Sequence, residues 1–178
     1  MLSPGVSPPW KSRFGVGRLC LLCLLATAMG MIAAGLTITF VGMTNVFVPQ
    51  DLEFMGLSPG QLRAINAHLI PLIAHDRAGF GGGICTCGIT VLFSVWCARP
   101  SRSLWQVLCL AGTTGFGAAI AIHPIVGYDN LTHLAPAIIG ASIFLAGIAL
   151  TYKPMHASGQ PPESEELKKL EVTPVAGS

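Results

Sequence analysis

The chain's five histidines are not scattered. Four of them, His68, His75, His123 and His133, lie beside the boundaries of long apolar runs. His75 is followed by Asp76 and Arg77, His123 by Pro124, and His133 closes the stretch Asp129-Asn130-Leu131-Thr132-His133. Imidazole and carboxylate suit zinc, copper or iron, so His75, His123 and His133, drawn from three helix ends, form a candidate metal set. A haem held between His123 and His133 is a variant of that idea. No HxxxH or HExxH pair supports either one. A second possibility is a polar pocket for a small ligand or a quinone head-group. It would be built from His75, Asp76, Arg77, His123, Asp129 and His133, with Arg77 contacting an anion. The third needs no cofactor at all: Asp76 pairs with Arg77 or caps a helix, and the histidines sit as amphipathic interfacial side chains.

Other chemistry-bearing residues point to packing. Six cysteines occur, at 20, 23, 85, 87, 97 and 109. The Cys20/Cys23 pair has redox spacing, but it falls at the cytoplasmic end of the first expected helix. The i,i+2 pair Cys85/Cys87 points to two different helix faces. Buried cysteine behaves as a small apolar residue. The run Gly79-Phe80-Gly81-Gly82-Gly83 lacks the Lys-Ser/Thr or the complete Rossmann spacing that a phosphate loop requires. Gly79 and Gly83 instead make a GxxxG, the spacing that lets helices approach closely. Gly112 and Gly140 are expected to serve the same purpose in later helices.

The elements that must position these residues follow from charge distribution. Of the 178 residues, 52% are hydrophobic and only 10% charged, with a mean hydropathy of +0.65. Average soluble domains carry about 25% charged residues, so lipid must form part of the solvent. No charge lies between Arg18 and Asp51, between Arg77 and Arg99, between Arg102 and Asp129, or between Asp129 and Lys153. Each gap holds the roughly 20 apolar residues a membrane helix needs, and a backbone in lipid must satisfy its own amides. The expectation is an all-α polytopic membrane protein, a four-helix up-and-down bundle with spans near 18–43, 77–97, 104–124 and 131–152. The first run continues well past the length of a signal-peptide core, so it is expected to remain as a helix.

With both ends in the cytoplasm, the inner segments carry Lys11, Arg13, Arg18, Arg99, Arg102, Lys153, Lys168 and Lys169, and the outer ones only Arg63 and Arg77. That bias satisfies the positive-inside rule and points to a cell (inner) membrane. Residues 1–17 and 153–178 are expected to be disordered cytoplasmic tails. In the outer segment 44–76, Ser58-Pro59-Gly60-Gln61 reads as a capping box with proline at the first helical position. A short amphipathic surface helix is expected at 59–69. The stretch Val48-Pro49-Gln50-Asp51-Leu52-Glu53 is expected to be extended and wet.

The segments Asn45-Val46-Phe47-Val48-Pro49-Gln50-Asp51-Leu52-Glu53-Phe54-Met55 and Leu69-Ile70-Pro71-Leu72-Ile73-Ala74-His75-Asp76-Arg77-Ala78-Gly79-Phe80-Gly81-Gly82 resemble a family of uncharacterised bacterial four-helix membrane proteins. Some members are joined to dihydroorotate dehydrogenase-like domains. The resemblance covers about 44–150 and implies a membrane fold without an established activity. A flavin-binding barrel of about 250 residues has no room here. The expected role is that of a non-enzymatic membrane or accessory protein. Its partners are the lipid bilayer and either a second copy or another membrane protein, with no nucleic acid. The alternative is a metal- or haem-dependent redox or ligand-binding protein using the outer cluster.

Overall fold

The computed structural model describes residues 18–98, 100–128 and 130–157. Residues 1–17 and 158–178, Arg99 and Asp129 lie outside the described residues, and with them the expectations made for those positions; residues 153–157, expected in the disordered tail, instead continue the last long helix. Among the described residues there are six helices: α1 (Arg18–Met43), α2 (Pro49–Met55), α3 (Pro59–Ile65), α4 (Leu69–Cys97), α5 (Arg102–Ile125) and α6 (Leu131–Ala157). Four of them, α1, α4, α5 and α6, are long and apolar enough to cross a membrane. The shortest, α5, has 24 residues and so spans about 36 Å, against about 30 Å of hydrocarbon.

The long helices alternate in direction. The most extensive packing joins α1 to α4, α1 to α6, and α5 to α6, so their lateral order is α4–α1–α6–α5. At the end bearing the 98–101 loop, Leu24, Val95, Leu108, Phe144, Ile148 and Met155 form the apolar core. Elsewhere large apolar side chains face outward. Leu110 is 72% exposed, Ile125 76% and Phe40 65%. Faces like these need lipid or protein against them.

The α1–α4 contact departs from the expected GxxxG. Gly79 and Gly83 have open space where a Cβ would sit. Gly81 lies two residues from each, and at 3.6 residues per turn that is about 200° around the helix. It is Gly81 that meets α1. A Cβ there would lie 2.6 Å from Thr39 Oγ1 and 2.7 Å from Gly35 O, and one at Gly88 would lie 2.9 Å from Ala28 O. Ala28, Gly35 and Gly42 on α1, facing Gly81 and Gly88 on α4, recur every seven residues. Such a repeat keeps small residues at the seam along two inclined helices. Thr39 Oγ1 adds a hydrogen bond to Ala78 O at 3.3 Å. Gly112 faces the Phe144 ring, and Gly140 faces Phe116.

Two boundaries also differ from expectation. The second long helix begins at Leu69, not near 77. Pro71 is tolerated there because it occupies the first turn, where amides lack intrahelical partners anyway. Within the 48–53 stretch only Val48 is extended; from Pro49 on it is helical. Pro49 occupies the first helical position, and the Asp51 carboxylate accepts from Val48 N–H at 2.9 Å. This is half of a capping box, Val48 having no side-chain acceptor. Gly56, at φ 62°, ends α2 with its N–H on Leu52 O. The Ser58/Gln61 box forms as expected and starts α3, which is shorter than expected and stops at Ile65.

Candidate functional site

The polar side chains gather at the end opposite the 98–101 loop, and Asp51 is their centre. This residue is 7% exposed. Its Oδ2 accepts from Arg77 Nη1 at 2.7 Å and from Val48 N–H at 2.9 Å, and its Oδ1 accepts from the Tyr128 hydroxyl at 2.9 Å. Helix α2 is thereby tied to α4 and to the turn between α5 and α6. The Arg77 side chain is 24% exposed. Its stem passes Gly42, where a Cβ would lie 3.2 Å from Arg77 Cγ. The close α1–α4 seam thus also sets the path by which Arg77 reaches Asp51.

Tyr128 is held by local chain geometry. Gly127 has φ 72°, and the Tyr128 and Gly127 amides bond to His123 O at 2.9 Å and Pro124 O at 3.3 Å. This is the Schellman closure of α5, with glycine in the left-handed position that closure requires. The Tyr128 ring lies 4.7 Å from His133, 6.0 Å from His123 and 4.8 Å from Phe54. The two imidazoles are 5.6 Å apart. His123 Nδ1 donates to Ala119 O at 2.7 Å, which leaves Nε2 as the ring's acceptor when the residue is neutral. His133 sits in the first turn of α6, its amide bonded to Asn130 Oδ1 at 3.1 Å. Asn130 also takes the Thr132 amide and hydroxyl, and so caps α6.

Electrostatics follow the same contacts. Burial pushes the Asp51 carboxyl up. The Arg77, Val48 and Tyr128 hydrogen bonds and the Arg77 charge outweigh it, holding the group below its ordinary value. Tyr128 moves the other way, pushed up to about 12 by burial and by its bond to the Asp51 carboxylate.

Of the residues singled out from sequence, Arg77, His123 and His133 come together. His75 and Asp76 do not join them. They pair with each other at 3.1 Å, with side chains 83% and 72% exposed, and an exposed pair of this kind contributes about 0–1 kcal/mol. Nor does His68 join the cluster: it is exposed at the start of α4. Among the described residues no three His, Cys, Asp or Glu side chains are grouped so as to hold a metal ion. The set His75, His123 and His133 is therefore not assembled, because His75 turns outward into its pair with Asp76. The central residues, Asp51 and Tyr128, were not singled out from sequence. One signal for Asp51 was present: Val48-Pro49-Gln50-Asp51 repeats the spacing of Ser58-Pro59-Gly60-Gln61. Gly127, placed just past the end of α5, marked the turn that carries Tyr128.

Searches of family models, of curated proteins and of solved structures find nothing that matches this chain.

Proposed function

We propose that the chain is a multi-pass integral membrane protein of the cell membrane without catalytic activity of its own, an accessory or partner protein. In it the Asp51 cluster is a clasp that holds the 44–68 segment on the ends of the long helices. The observation that carries this reading is the saturation of Asp51. Among the described residues three donors are spent on it, and its depressed pKa makes it a poor base near neutrality, where a general base works best. The outward apolar faces of the four long helices support the membrane placement.

The test has two parts. The full-length protein should stay in the membrane fraction through alkaline carbonate washing. Purified in detergent, it should be colourless and free of stoichiometric metal, and His123→Ala and His133→Ala should leave it so. A chromophore or bound metal lost in those variants would overturn the non-enzymatic reading.

A second reading has its own observation, the contact of the His123, Tyr128 and His133 rings. Two imidazoles beside a tyrosine suit a metal ion or a small planar head-group such as a quinone. Haem fits less well, because Tyr128 packs on both imidazoles and would have to leave Asp51 to make room.

A further inference from the structure

The end that carries the 98–101 loop has a second cluster, unrelated to Asp51. Trp105 of α5 touches Tyr152 and His156 of α6, with ring centroids 5.3 and 5.2 Å apart, and Tyr152 and His156 lie 4.2 Å from each other. The Trp105 indole N–H donates to Ile148 O at 2.9 Å, and His156 Nδ1 to Tyr152 O at 2.8 Å. Arg102 precedes Trp105 by three residues, one helical turn, and Lys153 adjoins Tyr152. Both cations are exposed. Neither has an ion pair or side-chain hydrogen bond among the described residues, and His156 Nε2 has no partner there either.

Charge along the molecule explains why. Among the described residues every carboxylate, at Asp51, Glu53 and Asp76, lies toward the opposite end, whereas Arg102 and Lys153 lie at this one. Two unpaired cations beside an aromatic cluster, next to apolar helix faces, lack an anion that the described protein does not supply. Tryptophan and tyrosine mark headgroup depth in membrane proteins, and basic sites between helices take lipid phosphates.

We infer that Arg102, Lys153 and His156, set around the Trp105–Tyr152 rings, bind the phosphodiester of an anionic phospholipid. This rests on the membrane reading above. The lipid phosphate lies against the two cations, beside the His156 ring. The acyl chains run along the outward apolar faces of α5 and α6, where Val107, Leu110, Leu145 and Leu150 are exposed.

The experiment uses the full chain in mild detergent micelles doped with equal amounts of phosphatidylglycerol and phosphatidylcholine, with bound lipid counted by native mass spectrometry. Wild type should retain phosphatidylglycerol preferentially. Each cation removed, in Arg102→Gln and Lys153→Gln, should weaken retention about fivefold. The charge-keeping exchange Arg102→Lys with Lys153→Arg should preserve it, and so should Arg63→Gln at the far end. Equal retention of the two lipids by wild type overturns the inference, as does a preference that survives the double Gln variant. Displacement of the lipid by excess inorganic phosphate would assign the site to a soluble anion instead, which also overturns it. Failure of the membrane reading is separate: protein that does not float with vesicles refutes that reading, whereas protein that floats without lipid preference refutes only this site.

Discussion

Asp51 shows how a single carboxylate can decide the local structure of a segment. It is 7% exposed, so its charge survives only because three donors surround it. Removing it strands the Arg77 guanidinium, and Asp51→Ala should cost about 3 kcal/mol, as broken part-buried ion pairs do. Tyr128→Phe removes one neutral donor and should cost about 1 kcal/mol. Both are read from thermal unfolding in detergent. The order of the two costs is the sharper criterion, since equal losses would mean that Asp51 is not the hub. The pH dependence follows from the two shifts. Asp51 titrates below its ordinary 3.8 when folded, so its contribution is complete above about that pH and is lost as pH falls through the folded value. Tyr128 ordinarily titrates at 10.0 and is raised to about 12. Its contribution is complete below the lower value and is lost as pH rises through the higher one. Wild-type stability should therefore have an acid edge that Asp51→Asn flattens and an alkaline edge that Tyr128→Phe flattens. A transition that tracks neither variant would place the clasp's control on other groups.

At the level of elements, the α1–α4 seam makes a prediction opposite to the one the GxxxG spacing suggests. Gly81→Ala and Gly35→Ala put a methyl against facing backbone and should lower the unfolding temperature clearly. Gly79→Ala and Gly83→Ala meet open space and should be neutral, or stabilising by up to about 1 kcal/mol from helix propensity. Reversed rankings in a thermal series would refute the seam. The same contrast shows what was legible in the sequence. Charge-free runs placed all four long helices, because the cost of charge in hydrocarbon depends on composition alone. They misplaced the start of α4, because Arg77 was counted as a boundary. Its charge is instead met by Asp51, 26 residues away, and a window along the chain cannot see that pairing. Which glycines pack depends on helix rotation, and the four glycines of one short run, Gly79, Gly81, Gly82 and Gly83, do not share a face. The start of α2 was missed because Val48 offers no side-chain cap. The helix begins on Pro49 and the returning Asp51 carboxylate, so the visible half of the signal was its less familiar half.

Across the whole molecule the two ends differ in kind. One holds the apolar core, the Trp105 cluster and unpaired cations. The other holds the carboxylates of the described residues, two short helices and the Asp51 clasp. Alternating helix directions put the α4–α5 loop at the first end and the 44–68 segment at the second, so the two must lie on opposite sides of any bilayer the long helices cross. The positive-inside rule predicts the cationic end on the cytoplasmic side, and with it an external clasp. Ala64 on α3 and Ser103 on α5 are both exposed and form no side-chain hydrogen bonds, so cysteine at either position leaves the caps intact. In a background with the six native cysteines replaced by serine or alanine, a membrane-impermeant maleimide added to intact cells should modify Ala64→Cys. Ser103→Cys should react only after permeabilisation. The reverse pattern would turn the molecule over and place the clasp in the cytoplasm. It would also move the proposed phospholipid site to the outer leaflet, where anionic lipid is scarcer and two cations would have little to bind. Labelling of both positions in intact cells would mean that the four long helices do not cross the membrane in alternation, and would refute the membrane reading.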